Sequence, residues 1–158
     1  MYYENDSTRS GRWSVEATSK ELYLFLIRPR EVLFDIAKLY PREFLRGFFD
    51  SEGCVCLDRK RKRAFISASN YDIGLLRFCK ELLEDIGIES TIVLTKKKGS
   101  KAIIRGKEYR YTSDLYEIRI SKLQSIRAFH VDIGFTIERK QKLLQSYLDY
   151  VTGRTFTL

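Results

Sequence analysis

Histidine is nearly absent from this sequence, and His130 is the single example. A Ser-His-Asp or Cys-His arrangement would have to be built around it. Its neighbours Phe129 and Val131 read as ordinary packing, so nucleophilic catalysis is set aside. Cysteine is also scarce, at three residues. Cys54 and Cys56 stand two apart and Cys79 stands alone, so one chain cannot supply the four ligands of a structural zinc site. Buried or half-buried thiols on a strand and a helix are expected instead. No apolar run approaches the ~18 residues that cross a bilayer. The start, Met1-Tyr-Tyr-Glu-Asn-Asp6, is too polar and acidic for a secretory leader, which makes a reducing cytoplasm the expected compartment. Asn and Gln are rare, at two and three, while charge is abundant, a balance common in thermophilic proteins.

What is present describes a packed domain. The 158 residues are 44% hydrophobic and 13% aromatic, enough for one sizeable core and too few for two. Lys and Arg number 29 against 21 Asp and Glu, for a net charge of +8. The distribution matters more than the sum. Arg59-Lys-Arg-Lys-Arg63 is an unbroken basic run, and between Lys96 and Arg110 seven basic residues face one acid, Glu108. Enzymes of small substrates have little use for two such clusters, whereas a phosphate backbone requires them.

Along the chain, Trp13, Val15 and Ala17 alternate, and an apolar stretch, Leu22 to Ile27, follows. Glu31 to Leu39 reads as a short amphipathic helix. Pro41 suits the first turn of the next helix, because its missing N–H would have no partner there. That helix runs to Glu52 and stops at Gly53, a usual terminator. Val55 and Leu57, then Ala64, Ile66 and Ala68, alternate with polar residues and form a hairpin. Apolar residues recur at helical spacing from Asp72 to Ile86, and Gly87 ends that helix. A second hairpin joins Thr91–Thr95 to Leu115–Ser121 through a long basic connection. Helices over Leu123–Val131 and Ile137–Val151 close the chain. Thr18-Ser-Lys20 echoes Ile120-Ser-Lys122, which suggests that residues 1–40 are the tail of a lost first copy of the same unit.

The segment that carries chemistry is Phe44-Leu-Arg-Gly-Phe-Phe-Asp-Ser-Glu-Gly53. Gly47 costs a helix roughly 1 kcal/mol against Ala, so it marks a close approach by another backbone. Asp50 and Glu52 stand at a helix C-terminus, where the macrodipole disfavours carboxylates by about 0.3–1 kcal/mol each. Local rules broken twice in six residues point to a functional site, and a divalent cation would relieve the second violation.

Leu45-Arg-Gly-Phe-Phe-Asp-Ser-Glu-Gly53 resembles the LAGLIDADG motif of homing endonucleases. Arg46 and Ser51 take the two alanine places, Phe48 and Phe49 the aliphatic pair, and Glu52 the second acid. Arg46 is larger than the residue usual there. The element order after it is similar to that family's over about Arg42 to Tyr150. The resemblance implies an α+β fold of αββαββα order, an antiparallel sheet saddle with helices on one face. It implies an N-terminal extension over 1–40 and an endonuclease domain over 41–158. It further implies metal-dependent hydrolysis of both DNA strands with Mg²⁺ or Mn²⁺, at a long pseudo-palindromic site and with staggered cuts across the minor groove. A single motif implies a homodimer through Phe44, Gly47 and Phe48, usually intron-encoded. Glu52 becomes the catalytic metal ligand, Ser51 a second candidate ligand, and Lys140 the basic residue that assists. An RNA-binding intron splicing factor of the same fold is the alternative; an intein is not expected, because no splicing half is present.

Strand parity then sorts a DNA face. If Val55, Leu57, Ala64, Ile66, Ile92, Leu94, Tyr116, Ile118 and Ile120 face helices, the opposite face carries Asp58, Lys60, Arg63, Ser67, Thr91, Thr95, Glu117 and Arg119. Arg and Lys can read guanine edges and acids can accept from cytosine. Arg61, Lys96, Lys97, Lys98 and Arg105 are expected to grip phosphates, and Asn70 to take the amide position at the end of the second strand.

Overall fold

The computed structural model describes residues 2–4, 12–14, 18–58, 61 and 63–153. Lys60, Val15 and Ala17, for which roles are expected above, lie outside the described residues. The chain divides into two compact units, 1–36 and 37–158. In the first, β1 (Tyr2–Glu4) pairs antiparallel with β2 (Arg12–Ser14). The apolar stretch after them is a helix, α1 (Lys20–Leu26), capped by the Ser19 hydroxyl, which accepts from the Leu22 N–H at 3.1 Å. The helix α2 (Arg30–Leu39) follows and runs on into the second unit.

The second unit contains α3 (Pro41–Glu52), β3 (Gly53–Asp58), β4 (Arg63–Asn70), α4 (Ile73–Asp85), β5 (Thr91–Lys96), β6 (Lys101–Ile104), β7 (Lys107–Arg110), β8 (Leu115–Ile120), α5 (Leu123–Asp132) and α6 (Glu138–Val151). Its sheet has the order β3-β4-β8-β5, antiparallel throughout. The expected parity holds at the centre: Val55, Ala64, Ile66, Ala68, Ile118 and Ile120 are buried against helices. There α3 packs on β3 and β4, α4 on β4, β5 and β8, and α6 on β3. Leu94, expected inward, is 42% exposed, because β5 is an edge strand with a register shift between Leu94 and Lys96.

Local chemistry sets the boundaries. Asp72 caps α4 by accepting from the Leu75 N–H at 3.0 Å, and Gly87 leaves that helix at φ +78°. Leu76, Cys79, Leu82 and Leu83 face the core from α4 at helical spacing, each fully buried apolar side chain contributing on the order of 1.5–3 kcal/mol.

Two details go beyond the expected elements. The basic connection carries a hairpin of its own, β6 paired with β7, with Ile104 opposite Lys107. Its two-residue turn holds Arg105 at φ +51° and Gly106 at φ +77°, the geometry of a type I′ turn. Gly53 does terminate α3, but in extended backbone at φ −87° rather than in the left-handed region. Glycine is required there because a Cβ would lie 2.5 Å from the Phe49 carbonyl oxygen.

Candidate functional site

On α3, Leu45, Phe48 and Phe49 are buried, and a chain of aromatic contacts ties the helix to its neighbours. Phe49 meets Phe129 of α5 at 5.0 Å between centroids, and Phe129 meets Phe135 at 5.3 Å. Phe44 lies edge-on to Phe78 of α4 at 5.5 Å. Of the three expected interface residues, Phe44 and Phe48 are therefore occupied within the chain, and Phe48 is only 8% exposed. Gly47 alone faces outward. Among the described residues, nothing beyond its own helix backbone and chain neighbours lies within 4 Å of a Cβ built on it, so no described backbone makes the close approach inferred from the sequence. Arg46, the oversized residue of the motif, turns off that face and donates from Nε to the Ile133 carbonyl oxygen at the C-terminus of α5. Its bulk leaves the Gly47 surface clear.

The end of α3 is clasped to the start of α6. The Asp50 carboxylate accepts from the Thr136 N–H at 3.1 Å, from the Thr136 hydroxyl and from the Ile137 N–H at 3.4 Å. It thereby caps a helix whose N-cap residue makes no side-chain cap of its own. Burial would raise the Asp50 pKa, but these hydrogen bonds and the Lys140 charge outweigh it and hold the carboxyl below the ordinary aspartate value. In return, the Lys140 ammonium donates to the carbonyl oxygens of Phe49 at 3.1 Å and Asp50 at 2.6 Å, a cation on the negative end of α3. The same ammonium stands 5.5 Å from the centroid of the Phe135 ring.

Glu52 is left over. It is exposed at the junction of α3 and β3, and among the described residues it has no hydrogen-bond or ion-pair partner. Ser51 beside it is exposed, and its hydroxyl donates to the Phe48 carbonyl oxygen at 3.0 Å. Among the described residues no three His, Cys, Asp or Glu side chains gather into a metal site. The donors at this corner, a free carboxylate and a hydroxyl, are hard oxygens of the kind that suit Mg²⁺ or Mn²⁺.

The outward face of the sheet holds several expected DNA contacts, with changes of role. Cys54, Ser67, Arg119 and Thr91 lie across it in one row of cross-strand partners. Ser67 is only 2% exposed and lies 3.5 Å from the Cys54 sulfur, which makes it part of the floor rather than a base reader. Asp58 accepts from the Arg61 N–H at 3.1 Å and faces its guanidinium at 3.8 Å, so it shapes the β3–β4 turn. The Asn70 side chain accepts from the Asp72 N–H at 2.9 Å, an Asx turn before α4. Thr95 lies in the irregularity of β5 and donates to the Leu115 carbonyl oxygen at 2.9 Å. Glu117, expected to read cytosine, is instead bonded to Arg119. Arg63 on the outward strand parity is exposed, and so are Lys96, Lys97, Lys98 and Arg105, as side chains expected to grip phosphates need to be. Phe65, an aromatic on the same outward parity, is not among the expected contacts, and its alternation with Ala64 and Ile66 is the signal that places it on this face.

The cysteines fall as expected for two of three. Cys79 is buried and its thiol is pushed up to about 12 by burial. Half-buried Cys56 is raised to about 11, by burial first and then by the Cys54 thiol 3.3 Å away. Cys54 itself is exposed.

The family profile described as "LAGLIDADG-like domain" matches residues 40–134, from the residue before α3 to just past α5. The chain belongs to this family. The LAGLIDADG-like match thus covers the motif helix and the whole four-stranded sheet. An uncharacterized protein of Methanocaldococcus jannaschii is 46% identical over 147 residues, which are 93% of this chain and 52% of that protein. The ATP-dependent DNA helicase Hel308 of the same organism is 33% identical over 104 residues, 66% of this chain and 8% of the helicase. A DNA polymerase of Thermococcus litoralis is 29% identical over 119 residues, 75% of this chain and 6% of the polymerase. This LAGLIDADG-like chain spans about half the length of the first relative and a small part of each of the others. No solved structure matches it. Among the described residues no helix is long and apolar enough to cross a membrane.

Proposed function

We propose that this chain is a metal-dependent, site-specific endonuclease of double-stranded DNA that acts as a homodimer, two copies meeting along the Gly47 face of α3. The observation that carries this is Glu52: a solvent-facing carboxylate without a partner among the described residues, at the end of the family's motif helix, in a chain whose Arg59–Arg63 run and Lys96–Arg110 stretch are strongly basic. A carboxylate there is disfavoured by the helix dipole, and a bound cation offsets that. When bound, a divalent metal supplies stabilisation of the charge developing on the phosphate and lowers the pKa of an attacking water.

The chain's own residues do the rest. Glu52 holds the metal, and Ser51 is a subsidiary oxygen donor. Lys140 is a positioning residue, holding the last turn of α3 and through it the direction of Glu52. The basic turn and the β6–β7 hairpin carry the duplex by its phosphates, and a two-fold axis at Gly47 sets two acids against two strands.

The test is cleavage of a randomised duplex library with and without Mg²⁺ or Mn²⁺, followed by sequencing of the ends. Discrete staggered double-strand breaks that need metal and vanish in Glu52→Gln are expected. Selective binding of folded intron RNA with no cutting of any duplex would overturn the nuclease reading in favour of a splicing factor.

A further inference from the structure

Phe65, Glu117 and Arg119 form a connected unit on the outward face of the sheet, apart from the Glu52 corner. The Arg119 guanidinium of β8 lies with its Cζ 4.4 Å from the centroid of the Phe65 ring on β4. Glu117, two residues away on the same face of β8, accepts from Arg119 Nε at 2.9 Å and from Nη2 through the same oxygen. The Glu117 side chain is 15% exposed and that of Arg119 38% exposed. The acid is therefore sunk in the surface while the base reaches out of it.

An arginine carries five N–H donors in a rigid planar fork. Glu117 takes the edge formed by Nε and Nη2; among the described residues the far end, Nη1 and the remaining Nη2 proton, has no hydrogen-bond partner. The Phe65 ring beneath the guanidinium, with Cζ 4.4 Å from its centroid, restrains that fork from the other side by cation–π attraction. The rotamer freedom of a long side chain is thus given up on folding rather than on binding, the general route to a preorganised contact. Charge acts in the same direction. A bare arginine is drawn to any phosphate, but one whose charge is offset by a half-buried carboxylate favours a partner with two in-plane acceptors. Guanine presents such a pair, N7 and O6, in the major groove.

We propose that Phe65 and Glu117 are positioning residues that make Arg119 the reader of one guanine in each half-site. The inference rests on the proposed DNA-binding role of this face. It also changes the part of Glu117, which contacts the arginine and not a cytosine.

The test is selection of bound sequences from a randomised duplex library without divalent metal, for the parent chain and for Arg119→Lys, Glu117→Gln and Phe65→Leu. All three variants should lose preference at the same G·C pair of each half-site, by roughly tenfold to a hundredfold, and keep the other positions. Glu117→Gln should bind random-sequence DNA as tightly as the parent or tighter, because it frees a positive charge. A purely structural role would weaken all sequences alike, and that result overturns the proposal. So does a guanine preference that disappears in Arg119→Lys but persists in both Glu117→Gln and Phe65→Leu. If Glu117→Gln does not fold, Phe65→Leu, which keeps an apolar side chain and removes only the ring, decides alone. A parent chain that enriches no duplex sequence overturns the DNA reading itself, and this inference with it.

Discussion

Lys140 and Asp50 exchange backbone for side chain across the joint between α3 and α6. The Lys140 ammonium donates to the Asp50 carbonyl oxygen at 2.6 Å, while the Asp50 carboxylate turns to the N–H groups of Thr136 and Ile137. Each helix end thereby receives the charge its dipole favours. The two acids of the motif are divided by this clasp: the Asp50 carboxylate is bonded to Thr136 and Ile137, and Glu52 has no partner among the described residues.

The division predicts opposite outcomes for the two acids. Glu52→Gln should melt at or above the parent temperature, bind duplex DNA without metal, and cut below detection. Asp50→Ala should lose about 0.5–2 kcal/mol, the range for removing a helix cap, with cutting reduced only as far as folding is. The folded-state pKa of Asp50 is depressed, so its contribution is present above the unfolded aspartate pKa of about 3.9 and disappears as pH falls through the folded value. Thermal melts between pH 7 and 2 should show the parent losing more stability than Asp50→Ala in the acid limb. A Glu52→Gln protein that still cuts would sink the assignment of the metal site.

At Gly47 the surroundings make fold and association separable. Among the described residues nothing blocks a side chain there, so Gly47→Ala should stabilise the single chain by about 0.5–1 kcal/mol, the cost of a helical glycine. Gly47→Leu should also fold, yet abolish self-association and double-strand cutting. Sedimentation at micromolar concentration, with and without DNA, reads this out. A monomer that cuts both strands would overturn the homodimer.

Neutralising Lys96, Lys97 and Lys98 together should weaken all duplexes alike. The slope of log affinity against log salt should shrink by about 0.9 for each phosphate no longer gripped. Affinities measured across a salt series, on a specific and a random duplex, test it. A weakening confined to one sequence would mean that these lysines read bases.

Thiol chemistry maps the same face independently. Alkylation near neutral pH should reach exposed Cys54 first, Cys56 (raised to about 11) slowly, and buried Cys79 (raised to about 12) only on unfolding, since the thiolate is the reacting form. Bound duplex should protect Cys54. Mass spectrometry of timed digests would show the order, and unprotected Cys54 in a saturated complex would count against this face as the DNA surface.

Elements carried by local patterns are legible in the sequence by itself. Pro41 and Glu52 bound a helix, Asp72 and Gly87 bound another, and Val55, Ala64, Ile66 and Ile118 keep their parity, because periods of 3.6 and 2 are properties of the backbone itself. The motif acid Glu52 can be singled out for a similar reason, as a charge against its own helix dipole. The β6–β7 hairpin is hidden because its turn is Arg-Gly rather than the usual Asn-Gly, and seven basic residues mask the Ala102-Ile103-Ile104 run. Other roles are decided only by the tertiary structure. Arg46 reaches Ile133, Asp50 reaches Thr136, Lys140 reaches Phe49, and Phe65 underlies Arg119. The first three pairs are 87, 86 and 91 residues apart in the chain, and the fourth joins two strands, β4 and β8, that are neighbours in the sheet only through pairing. A side chain's own residue type states what it can donate or accept, but which partner it meets is set by the packing of helices on the sheet, a non-local outcome that no window of sequence contains.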